Sequence, residues 1–140
     1  MIRTAIILFL LTAGVAVAQD SDNSANLACI ERLEIPKYPA LAESARVAAT
    51  VTTSLRLESN GGVGTITSDV SNKTSKAVES AFVKTVDESL HSSKFLAACG
   101  GRMMTFVFQF SLGDQIGTQR FSFGYPNRFT ILAPGHVMNP

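Results

Sequence analysis

The chain has 140 residues, with 12 Lys plus Arg against 11 Asp plus Glu, two histidines, two cysteines and no tryptophan. That length suits one ordinary domain. A net charge of +1 without any basic run leaves no electrostatic footprint for nucleic acid or an anionic membrane surface.

In chain order, Arg3 supplies a positive start, Ala5 to Val17 is almost unbroken apolar sequence, and Ala16-Val17-Ala18 places small residues where a signal peptidase cuts. The apolar run from Ala5 to Ala18 spans 14 residues. A membrane-crossing helix needs roughly 20, which favours a cleaved signal peptide over a retained anchor. Residues 1–18 are therefore expected to be a signal peptide, and the mature chain periplasmic or secreted. Residues 19–33, rich in Asp, Asn and Ser at their start, read as a flexible lead-in. The folded domain is expected at 34–113 and a tail at 114–140.

Cys29 and Cys99 make an even count, which in an exported chain points to a bridge. With two cysteines, one intrachain pairing exists. It closes a loop of about 71 residues and contributes about 4 kcal/mol in the chain-entropy model.

Pro36-Lys37-Tyr38-Pro39 comes next. Its prolines fix φ and remove two donors, holding Lys37 and Tyr38 extended. Leu41, Ala42 and Ala45 then recur at helical spacing, predicting a short helix. From Thr50 to Glu58 the chain alternates, with Val51, Thr53, Leu55 and Leu57 on one face. Ser59-Asn60-Gly61-Gly62 is a hairpin turn, and Val63 to Val70 returns as a second strand. Asn72 to Ser75 offers N-cap candidates for a longer helix, whose inner stripe is Val78, Ala81, Phe82, Thr85, Val86 and Leu90. Lys76, Glu79, Lys84, Asp87 and Glu88 lie on its solvated face.

Arg102 to Leu112 is the best-defined strand. Met104, Phe106, Phe108, Phe110 and Leu112 share one face, and Met103, Thr105, Val107, Gln109 and Ser111 share the other. Burying the first set contributes on the order of 10 kcal/mol before entropy is charged. Two short extended pieces, 120–123 and 128–132, follow in the tail. The expected fold is α+β: two helices on one face of a small three-stranded antiparallel sheet, in the order α-β-β-α-β, with room for an extra C-terminal strand.

The stretch from about Pro36 to Leu112 resembles the C-terminal domain of the TonB energy-transducer family. The resemblance rests on several matches in order. Pro36-Lys37-Tyr38-Pro39 is similar to a Pro-x-Tyr-Pro opening, and Ala42 to Arg46 to an Ala-x-x-x-Arg helix end. Gly62-Val63 is similar to a Gly-x-Val hairpin turn, and Phe95 to an aromatic before the last strand. Ala48 and Ala49 stand where the family commonly has a glycine, and no proline-rich spacer precedes the domain.

The resemblance implies a module that captures a peptide, such as a segment of an outer-membrane transporter, by adding it as a strand to an exposed edge. Carried over, the partner-binding residues are Met103, Thr105, Val107, Gln109 and Ser111 on the last strand, with Pro36, Tyr38 and Pro39 nearby. Tyr38 has a second reading as a ring packed on the hairpin with its hydroxyl at the surface.

Reactive constellations are not legible in the sequence. His91 and His136 lack ligand-spaced companions, Asp69 and Asp87 stand apart, and no Gly-x-Ser-x-Gly elbow occurs. The expectation is a protein that is not an enzyme, with no metal, cofactor or nucleic-acid partner. The alternatives are a structural or self-associating envelope protein, its edge covered by residues 120–132 or by a second copy as a homodimer, and a secreted inhibitor-like α+β domain. The last lacks the Gln-x-Val-x-Gly loop of cystatins.

Overall fold

The computed structural model describes residues 27–72, 74–113, 118–124 and 127–134. The signal-peptide reading of residues 1–18 and most of the lead-in lie outside them. The elements are β1 (Ile30–Arg32), α1 (Ala40–Ser44), β2 (Ala49–Leu57), β3 (Val63–Val70), α2 (Lys76–Ser92), β4 (Lys94–Phe95), β5 (Met103–Ser111), β6 (Arg120–Gly124) and β7 (Arg128–Leu132). A 3-10 turn at Ala97–Cys99 joins β4 to β5. No helix among the described residues is long and apolar enough to cross a membrane.

Among the described residues the fold is α+β, with helices α1 and α2 beside a two-stranded and a five-stranded sheet. The three expected strands form an antiparallel group in the order β3-β2-β5. The sheet does not stop there. It continues through β7 and β6 to five strands, with β7 lying parallel to β5 and β6 antiparallel to β7. The expectation of three strands with room for one more falls short because both extended pieces of 120–132 join the sheet, β7 beside β5 and β6 outside it.

The lead-in also ends earlier than residue 33. Ile30 and Arg32 in β1 pair with Phe95 and Lys94 in β4, and Cys29 is bonded to Cys99 with 5.8 Å between their Cα atoms. The bridge and the small sheet together draw residues 29–32 into the fold.

Alternation decides which side chains are buried. In register, Val51 faces Phe108, Thr53 faces Phe106, Leu55 faces Met104 and Ala49 faces Phe110, all buried on the helix side. Thr53 is the polar member, and its hydroxyl is bonded to that of Ser68 opposite, at 2.9 Å. On β7, Phe129 and Ile131 pair with Phe108 and Phe110 and are 4% and 0% exposed. Rows of side chains therefore cross the sheet without a break. One runs Val70, Val51, Phe108, Phe129, Phe123, and another runs Ala49, Phe110, Ile131, Phe121.

Helix α2 lays Val78, Phe82, Val86 and Leu90 over β3 and β2, as its spacing predicts, and Ser75 caps its first turn by accepting from the Val78 amide. A second stripe on α2 has another task. The Thr85 hydroxyl donates to the Lys37 carbonyl at 2.7 Å, and the Ser89 hydroxyl to the Glu34 carbonyl at 2.7 Å. The Ser93 hydroxyl accepts from the Glu34 amide at 3.0 Å. Hydroxyls four residues apart thus satisfy the backbone of the extended segment before α1, which has no strand partner of its own there. Helix α1 buries Ala42 alone, while Leu41 is half exposed and Ala45 exposed, so the expected three-residue inner face is reduced to one small residue.

Gly100 shows how closely the 3-10 turn approaches the β2–β3 turn. A Cβ there would stand 2.3 Å from the Ser59 carbonyl oxygen, which only glycine avoids.

Candidate functional site

The sequence reading places one binding edge along β5, with the Pro-x-Tyr-Pro segment beside it. The structure divides those residues between two faces and closes the edge. On one flank Met103 to Phe110 of β5 pair with Arg56 to Ala49 of β2, and on the other Val107 to Ser111 pair with Arg128 to Leu132 of β7. The Asn127 side chain extends this contact by donating to the Thr105 carbonyl at 2.9 Å, while the Val107 amide donates to the Asn127 carbonyl. The flank expected to receive a partner is therefore occupied by the chain's own C-terminal strand. The physical reason is the register of Phe129 and Ile131, which continue the buried rows of β5 and gain more from burial than an open edge would retain.

Met103, Thr105, Val107, Gln109 and Ser111 lie on the face of β5 away from the helices. Met103 is 55% exposed, and Gln109 accepts from the Arg128 guanidinium at 3.1 Å. Pro36, Tyr38 and Pro39 lie on the helix side. The two sets are not brought together.

Tyr38 is a core residue. It is 7% exposed, its ring meets Phe82 and Phe110 edge-on at centroid distances of 6.0 and 5.6 Å, and its hydroxyl donates to the Val47 carbonyl at 2.6 Å. Burial, with a smaller contribution from the Glu43 carboxylate, pushes that hydroxyl up to about 12 from the usual 10. Pro36 is buried, and Pro39 sits at the N-cap of α1, where its carbonyl accepts from the Glu43 amide.

Gln119 belongs to this site without any signal in the sequence pattern. Its side-chain oxygen accepts from the Tyr38 amide at 2.7 Å, and its nitrogen donates to the Pro36 carbonyl at 3.2 Å. One amide side chain thereby satisfies both the Tyr38 amide and the Pro36 carbonyl. It clips the connection leading into β6 onto the proline-flanked segment. A lone Gln in a loop carries no spacing signal, so periodicity could not have revealed it.

The edge that remains is β6. All five of its residues are exposed, and among the described residues no strand lies outside it. Phe121 and Phe123 are the last members of the two buried rows and lie against Phe129 at centroid distances of 6.0 and 5.0 Å. Both are more than two-fifths exposed, at 44% and 43%. A strand edge with unpaired backbone and two large aromatic rings is the usual physical profile of a surface that pairs with another chain. The opposite edge, β3, differs. Its outward residues are Thr65, Thr67 and Asp69, and a charge at an edge discourages pairing.

No group of three or more His, Cys, Asp or Glu among the described residues could hold a metal ion. A surface groove of 590 Å³ runs along the outer face of α2 past Lys84, Asp87, Glu88 and His91, where Lys84 and Glu88 form an exposed ion pair. Comparison with protein-family models, with curated proteins and with solved structures returns no match.

Proposed function

We propose that the chain is a non-catalytic module of the bacterial envelope that takes up an extended segment of another polypeptide by β-strand addition at β6. The mode is the one the TonB resemblance implies. The receiving edge is different.

The observation that carries the reading is the exposure of β6 along its whole length, with Phe121 and Phe123 presented beside a flank on which no strand lies among the described residues. Strand addition draws its affinity from main-chain hydrogen bonds and its selectivity from alternate side chains. Here the alternate positions are two aromatic rings on the helix side and Arg120 and Ser122 on the other. The matching segment carries apolar residues at every second position.

Addition at β5 would require β7 to leave, and re-exposing Phe129 and Ile131 costs about 3–6 kcal/mol before any ladder bond is counted. A peptide making one short ladder does not recover that. The Cys29–Cys99 bridge supports an oxidising, exported setting.

The test is amide hydrogen exchange with and without a synthetic peptide from the N-terminal segment of an outer-membrane transporter. The expected result is new protection at 120–124 with Met103 to Ser111 unchanged. Protection appearing in β5 with loss in β7, or no change at saturating peptide, refutes the reading.

A further inference from the structure

We infer that the resting occupant of the β6 edge is a second copy of the same chain, paired antiparallel about a two-fold axis through Ser122. The inference rests on the strand-addition reading of β6 and names the partner that this strand itself selects. The order Arg120-Phe121-Ser122-Phe123-Gly124 is nearly palindromic in character about Ser122.

Centred on Ser122, antiparallel self-pairing sets Phe121 of one copy against Phe123 of the other, twice. Cross-strand aromatic pairs are among the favourable ones in antiparallel sheets. Because Phe121 and Phe123 share a face with Ile131 and Phe129, all four rings fall on the core side of the joined sheet. The same register sets Arg120 against Gly124, so the one charge on the strand never faces itself. A parallel arrangement would stack Arg120 on Arg120 and is disfavoured. The contact is isologous and closes after two copies. The free edges of the dimer are then the two β3 strands, each guarded by Asp69.

The apolar contact the rings supply is small beside the total area that a stable interface buries. At 44% and 43% exposure, the four rings offer about 350 Å² together, taking a phenylalanine as roughly 200 Å². Stable interfaces bury about 1,200–2,000 Å². The dimer is accordingly weak and reversible. It masks the aromatic edge at high concentration and yields it when a partner segment arrives, so self-pairing and peptide uptake exclude one another.

The test uses sedimentation of the full chain over a wide concentration range, with two single variants. Phe121→Glu and Phe123→Lys replace residues that are more than two-fifths exposed, and circular dichroism checks that both remain folded. The parent should shift from monomer toward dimer as concentration rises, and each variant alone should associate at least tenfold more weakly. An equimolar mixture of the two should associate more tightly than either alone. In this register the new carboxylate of one copy faces the new ammonium of the other, and the remaining phenylalanines still meet. Without needing any variant, exchange at 120–124 in the parent should slow as protein concentration increases.

A parent that stays monomeric at every concentration overturns the inference, and so does a mixture no tighter than its components. If the chain is monomeric and the transporter peptide still protects 120–124, the self-pairing fails and the strand-addition reading stands. If neither occurs, both fail.

Discussion

Replacing Phe129 with alanine tests whether β7 is part of the core or a removable cover. The ring is 4% exposed and touches four others, Phe106, Phe108, Phe121 and Phe123, at centroid distances of 6.1, 5.5, 6.0 and 5.0 Å. Losing the transferred ring and leaving a cavity in a close-packed row costs about 3–5 kcal/mol. At about 4 °C per kcal/mol for a domain of this size, the midpoint falls by about 12–20 °C. Phe123→Ala, whose ring is 43% exposed, should cost only about 1 kcal/mol and serves as the control. Urea and thermal denaturation measure both, and native-state exchange asks which amides open together. The reasoning fails if Phe129→Ala loses less than about 1 kcal/mol. It fails equally if the variant opens 120–132 alone while α2, β2 and β5 keep their protection.

Two further outcomes follow from named contacts. Reduction of Cys29–Cys99, or its replacement by a pair of alanines, should cost about 4 kcal/mol, because the bridge closes a loop of about 71 residues; denaturation with and without reductant measures it, and a change under 1 kcal/mol contradicts the assignment. Tyr38 should give the protein an alkaline limit. Its hydroxyl titrates at about 12 when folded and near 10 when unfolded, so the unfolded chain releases the proton first. The stabilisation is whole below pH 10 and is lost as pH rises from 10 to 12. Tyr38→Phe should be less stable at neutral pH by about 1–2 kcal/mol, since the Val47 carbonyl loses its donor. It should also show a flatter decline over that alkaline window; equal slopes for parent and variant would dismiss the idea.

The parts of the fold legible in the sequence are those where one face is uniformly apolar. Val51 to Leu57, Met104 to Phe110 and the Val78-Phe82-Val86-Leu90 stripe all bury the predicted faces, because period-two and period-3.6 patterns translate directly into burial. The cysteine pair was legible from count alone. The tail was not. Phe121 and Phe123, or Phe129 and Ile131, alternate over only five residues each, too few to say whether they join the sheet or on which side. The parallel placement of β7 beside β5, and of β6 antiparallel outside it, is a long-range choice, made by how the rings fit rather than by any local preference. Tyr38 illustrates the same limit. A tyrosine between prolines is compatible with a surface contact or a buried ring, and the deciding features, Phe82, Phe110 and the Val47 carbonyl, lie elsewhere in the chain.

The parallel partnership of β5 with β7 has a consequence for the nascent chain. During synthesis the segment up to residue 113 emerges first, carrying everything needed for three strands and two helices. For the next 19 or so residues the phenylalanine-lined central strand has one naked side. At ordinary elongation rates of about 5–20 residues per second, that interval lasts about one to four seconds. In that window the flank of β5 that β7 later covers is open to other chains, and a product halted near residue 113 lacks the strand that closes it.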